Sequence, residues 1–190
     1  MTDKPKFETC INSHIAFSGV FLKIHQDTVA LPAGGTAIRE YICHPGAVAI
    51  LALLPNGRLL LEKQFRYALK REFIEIPAGK IDPGEDPLTT ARRELQEETG
   101  YRANTWRHLG TGHACIGYAD EKIEYFLASD LSPGPKQLDE GEYIELLEMT
   151  PDEAFKAVRE GQITDSKTIT GLFWLRELLL EGEIRNAVAD

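Results

Sequence analysis

Three glutamates, Glu94, Glu97 and Glu98, stand at i, i+3 and i+4. On a helix that spacing brings three carboxylates into an arc of about 100° on one face. At ~6 Å separation and an effective dielectric of ~20, each like-charge pair costs roughly 2–3 kcal/mol before solvent screening. Arg93 sits beside them and cannot offset all three charges. The arrangement therefore calls for a divalent cation. Oxygen ligands alone point to Mg²⁺, with Mn²⁺ able to substitute, ahead of Zn²⁺. Arg93 lies one turn before Glu97, so it can fix that carboxylate and leave Glu94 and Glu98 to the metal. Gly79 permits a turn that a Cβ would hinder, and the loop it opens can aim carbonyls, Ala78 first, at the same place.

Such a site needs a rigid helix behind a turn, and the sequence supplies both. Asp86 is a candidate N-cap with Pro87 at the first helical position. Leu88, Ala91 and Leu95 share a face, and Gly100 provides the C-cap. Ahead of the helix, Phe73 to Ile76 reads as a short strand and Pro77 to Glu85 as a Gly/Pro loop. Ala47 to Leu54 is an apolar run of strand length, turned at Pro55-Asn56-Gly57 into a hairpin with Arg58 to Glu62. Further strands are expected near Trp106 to Gly112, Ile123 to Ala128 and Tyr143 to Met149. Thr150 to Glu153 has the form of a capping box opening a helix that stops at Gly161, and Asp165 or Ser166 caps a last helix through Leu180.

At the N-terminal end, Ile15 to Ala30 reads as a strand pair, Pro32 to Gly35 as a turn and Thr36 to Ile42 as a returning strand. His44-Pro45-Gly46 closes this part. The expected organisation is an antiparallel strand extension over 1–45 and a catalytic domain over 46–190, α/β in class, with a mixed sheet between helices.

A hydrophobic fraction of 43% allows a sizeable core, so disorder is excluded as the reading. The net charge of -9 argues against nucleic-acid binding; phosphates would have to be held by cations or local arginines. Cys10, Cys43 and Cys115 are far apart and in no metal spacing, which fits reduced thiols in a cytoplasmic protein. No stretch reaches the ~20 apolar residues of a membrane span, and no secretory signal is expected at the N-terminus.

The residues Gly79, Glu85, Arg93, Glu94, Leu95, Glu97, Glu98, Gly100 and Tyr101 match the pattern G-x5-E-x7-R-E-U-x-E-E-x-G-U, where U is bulky and apolar. Background frequencies put a chance match in such a chain on the order of 10⁻⁷. The chain thus resembles the Nudix hydrolases, with Tyr101 standing where an aliphatic residue is usual. The resemblance implies an α/β/α sandwich, with the box as a loop-helix-loop. It implies Mg²⁺ on Glu94 and Glu98, with Glu97 and the Ala78 carbonyl close by, and water attacking a nucleoside diphosphate linked to another group.

The likeness extends from about Phe17 to Leu180 and points to the ADP-ribose pyrophosphatase branch, through Ile38-Arg39-Glu40, Lys63-Gln64-Phe65-Arg66-Tyr67, Glu75-Ile76-Pro77-Ala78-Gly79 and Asp165-Ser166-Lys167-Thr168. By this resemblance Arg39 lies against the adenine, Arg66 holds a phosphate, Glu75 contacts the sugar or diphosphate, and Glu121 lies near the terminal ribose. The branch carries its general base on an acidic loop after the box. Asp139-Glu140-Gly141-Glu142 corresponds, which assigns Glu140 as base and Glu142 as a further metal ligand or base partner. Ile116 stands where the branch has Pro, so the rigid turn of a proline is not imposed there. The branch also exchanges N-terminal strands between two subunits, which implies a homodimer with Arg39 serving the neighbour's site. The expected reaction is ADP-ribose plus water to AMP plus ribose 5-phosphate. The alternatives are the same chemistry on GDP-mannose or a dinucleotide, and an inert ligand-binding domain; the last is disfavoured because all three box carboxylates are present.

Overall fold

The computed structural model describes residues 6–138, 141 and 143–184. The chain divides into two compact units, one made of the residues up to Pro45 with His113–Lys122, the other of Gly46–Gly112 with the chain from Ile123 onward.

The first unit is built on a three-stranded antiparallel sheet, β1 (Thr9–Ser18), β2 (Lys23–Ala30) and β3 (Thr36–Cys43), in the order β1-β2-β3. Gly34 and Gly35 both take positive φ in the turn between β2 and β3, a conformation that suits glycine. β1 begins well before Ile15, because Thr9 to His14 carry no apolar alternation that would reveal a strand. All ten residues of β1 are exposed. Register shifts between Cys10 and Asn12 and between Ile15 and Phe17 mark bulges against β2. The segment 113–122 joins this unit through the backbone: Ile42 N donates to Tyr118 O and Asp120 N to Ile42 O.

The second unit holds a seven-stranded mixed sheet. Its strands are β4 (Ala47–Leu53), β5 (Leu59–Arg66), β6 (Arg71–Glu75), β7 (Ala78–Lys80), β8 (Tyr101–His113), β9 (Lys122–Pro133) and β10 (Ile144–Met149). The order is β10-β5-β4-β9-β8, with β6 on β5 and β7 on β4. β4 and β9 run parallel, while β5 is antiparallel to β4, β6 and β10. The apolar run of β4 is continuous because both faces are covered. Ala49 and Leu51 pack with Leu172 and Leu175 of α3 (Ser166–Leu180) and Ala154 of α2 (Pro151–Arg159). Val48, Ile50 and Ala52 pack with Ala91 and Leu95 of α1 (Pro87–Thr99). The layers are helix, sheet, helix.

One expectation is corrected. Residues 78–80 are not loop but β7. β5 pairs with β4 only at Ala52 and Leu53, which leaves the edge of Ala47 to Ala49 to take Lys80, Gly79 and Ala78. An unfilled edge in a buried strand leaves backbone groups unpaired, so the chain returns to fill it. Among the described residues no helix is long and apolar enough to cross a membrane.

Candidate active site

Helix α1 is fixed at both ends by its own sequence. Asp86 accepts hydrogen bonds from Leu88 N (3.1 Å) and Thr89 N (3.2 Å), and Gly100 closes the helix at φ 71°. Its apolar face docks through Ala91 and Leu95, both fully buried. That rotation turns Arg93, Glu94 and Glu98 toward β7, with Glu97 beside them on Arg93.

Arg93 is the centre of the arrangement. Its Nη1 donates to Glu94 Oε1 (2.8 Å) and Glu97 Oε2 (2.9 Å), and its Nη2 to Glu85 Oε2 (3.1 Å). Partial burial works against its charge, but Glu85, Glu94 and Glu97 outweigh burial and hold the guanidinium above its ordinary pKa. Glu85 in turn accepts from Thr90 Oγ1 (2.8 Å), and Arg93 ahead of Thr90 pulls its carboxyl below the ordinary value. The expectation that Arg93 would fix Glu97 alone is therefore corrected. It bridges Glu97 and Glu94, because both carboxylates lie within reach of one Nη group, and it ties the preceding loop to the helix through Glu85.

Glu98 takes a different course. It is 5% exposed and its Oε2 accepts from the backbone N–H of Ala78 at 3.0 Å. Gly79 explains how β7 comes so near: a Cβ there would fall inside the Glu94 carboxylate. The missing side chain is a cradle in which that carboxylate lies.

These residues fit a hard cation. Glu94 and Glu98 bring carboxylate oxygens against β7, and the Ala78 carbonyl is the backbone oxygen that the resemblance adds to them. Among the described residues no three His, Cys, Asp or Glu side chains converge as a metal cage. A set of two carboxylates with a carbonyl suits Mg²⁺, which keeps several of its waters, better than it suits a fully enclosed ion.

A second group of charges lies at the end of β5 and β6. Arg66 Nε and Nη2 each donate to Glu75 at 2.7 Å, and Lys167 at the start of α3 donates to the same carboxylate. Burial pushes the Glu75 carboxyl up, but Arg66 and Lys167 overcome it and hold the group below the ordinary glutamate value. Glu98 adds to the field that keeps Arg66 charged. The resemblance gives Arg66 and Glu75 as separate substrate contacts and includes Lys167 in a branch motif without assigning it a role.

The remaining expected residues lie in the first unit or beyond the described residues. Arg39 is paired with Glu8. Glu121 lies 3.9 Å from His44 Nε2, and Asp120 accepts from His44 N at 2.7 Å. Ile116 is largely exposed. Asp139, Glu140 and Glu142 fall outside the described residues.

The chain matches the NUDIX domain over residues 44–170. It is 41% identical over 171 residues to the methanol dehydrogenase activator of Bacillus methanolicus, spanning 89% of this chain and 92% of that one. It is 40% identical over 171 residues to the ADP-ribose pyrophosphatase of Bacillus subtilis (strain 168), with the same two shares, 89% and 92%. Its fold matches a crystal structure of an ADP compounds hydrolase with a TM-score of 0.83, at 21% identity, over 93% of this chain and 97% of the other. With the arginine-centred box on a helix against β7, and a domain match over more than half its length, the chain belongs to the NUDIX family.

Proposed function

We propose that the protein hydrolyses the diphosphate linkage of ADP-ribose to AMP and ribose 5-phosphate, using Mg²⁺ held by Glu94, Glu98 and the Ala78 carbonyl. The observation that carries this reading is the Gly79 cradle, which brings the Glu94 and Glu98 carboxylates against one strand. When bound, the ion polarises phosphoryl oxygens and acidifies the attacking water. Glu140 accepts that water's proton, and Glu142 serves as a further ligand or as its partner. Arg93, itself fixed by Glu97 and Glu85, holds Glu94 in place. Arg66 neutralises the diphosphate, as an acidic protein requires, and Glu75 contacts the substrate near its sugar or diphosphate. Arg39 lies against the adenine and Glu121 near the terminal ribose.

The active form is a cytoplasmic homodimer with exchanged N-terminal strands. Ile11, Ile15, Phe17 and Ile38 are each more than half exposed, an apolar area that a second copy would cover.

A panel of nucleotide sugars and dinucleotides with Mg²⁺ tests the substrate. No turnover of any diphosphate would defeat the enzyme; faster turnover of a hexose diphosphate such as GDP-mannose would defeat only ADP-ribose. Glu98→Gln keeps an acceptor for Ala78 N, so the variant is expected to fold normally and lose at least ~100-fold in kcat. Near wild-type kcat would remove Glu98 from the metal site. Glu140→Gln is expected to lower kcat by ~10²–10⁴-fold with metal affinity little changed. A loss of metal affinity instead would make Glu140 a ligand.

A further inference from the structure

Glu75 is a buried carboxylate, 4% exposed, with two cations on it. The two are not equivalent. The Arg66 side chain is 45% exposed and borders a cavity of about 290 Å³ that Leu69, Phe73, Glu75, Thr164 and Lys167 also line. Lys167 is 16% exposed and is tied back to Asp165 at 3.1 Å. Both cations border the cavity and meet the same Glu75 oxygen; Arg66 is the more exposed, and Lys167 is the one held a second time, by Asp165.

The position of Lys167 is costly for its own helix. It lies in the first turn of α3, where the macrodipole opposes a positive charge. Helix stability therefore does not account for it. The charge balance does. A buried carboxylate stripped of its counter-ion is strongly destabilising. Were Arg66 the sole partner of Glu75, every anion that drew Arg66 away would strand that carboxylate. With Lys167 in place, Glu75 keeps a counter-ion while Arg66 turns outward.

We propose that Lys167 is a positioning residue: by keeping Glu75 paired, it releases Arg66 to bind the substrate's diphosphate. This rests on the diphosphate reading above. Lys167 itself does not touch the substrate.

The test uses inorganic pyrophosphate with Mg²⁺, which lacks the sugar that Glu75 could also contact. Affinity is measured calorimetrically for the wild type, Lys167→Met, Lys167→Arg, Glu75→Gln and the Lys167→Met/Glu75→Gln double variant, with thermal melts in parallel. Lys167→Met is expected to weaken pyrophosphate roughly 10-fold and to raise KM for ADP-ribose by a similar factor, with kcat within about threefold. Lys167→Arg is expected to restore both. In the Glu75→Gln background the Lys167→Met change is expected to be less than about twofold, because no carboxylate remains to hold Arg66. An equal loss in both backgrounds would mean that Lys167 meets the anion directly and would overturn the proposal. So would unchanged affinity, or a fall in kcat at constant KM. If Lys167→Met melts without cooperativity, Lys167→Gln replaces it, with the same outcomes expected. A wild type that turns over no diphosphate defeats the functional reading, while the pyrophosphate affinities still decide the role of Lys167. A wild type that does not bind pyrophosphate defeats both.

Discussion

At the scale of single residues, charge state is set by neighbours that the chain brings from far away. Glu75 would titrate high if burial acted alone; Arg66 and Lys167 reverse the direction. A carboxyl depressed in the folded state stabilises the fold fully above its unfolded value and loses that contribution as pH falls through the depressed one. Glu75→Gln is therefore expected to melt below the wild type at pH 7, and the gap to close as pH drops below the ordinary glutamate value of 4.5. Melts recorded between pH 7 and 3 check this, and a gap that stays constant would mean that the charge of Glu75 is not its source. The box residues were legible in the sequence because their chemistry repeats along one helix and needs no partner from elsewhere. Arg93 holding both Glu94 and Glu85 was not, since spacing gives reach but not rotamer. Lys167 was hidden for a plainer reason: its carboxylate lies 92 positions away.

At the scale of elements, α3 is joined to the strand that leads into β7. Thr168 is fully buried; its Oγ1 accepts from Ile76 N at 2.9 Å and donates to the N-cap Asp165 at 2.7 Å. Replacing it by valine keeps the shape and leaves Ile76 N without that acceptor. Thr168→Val is expected to lower stability by about 1–3 kcal/mol, read from chemical denaturation. A loss under ~0.5 kcal/mol would show that the bond is dispensable. The helix ends were legible because caps are local: Asp86, Thr150 with Glu153, and Asp165 each cap the helix that follows. β7 was not legible, because residues 78–80 form a strand only by filling an edge of β4, and nothing in Ala78-Gly79-Lys80 signals one.

At the scale of the whole molecule, the first unit exposes apolar side chains along β1 and β3, which the proposed dimer would cover. The protein is expected to elute as a dimer at working concentration, and a fully active monomer by light scattering and assay would sink the exchanged-strand reading. The length of the chain is constrained elsewhere. β6 ends at Glu75, registered on β5, and β7 begins at Ala78, registered on β4, with only Ile76 and Pro77 between them. A single insertion or deletion in that bridge would turn Ala78 and Gly79 to opposite faces, or pull Glu75 off its partners. The stretch from Gly79 to Glu85 is held as well, by Glu85 on Arg93 and Thr90 of the helix that follows, so relatives that differ in length near this site should do so outside residues 75–98.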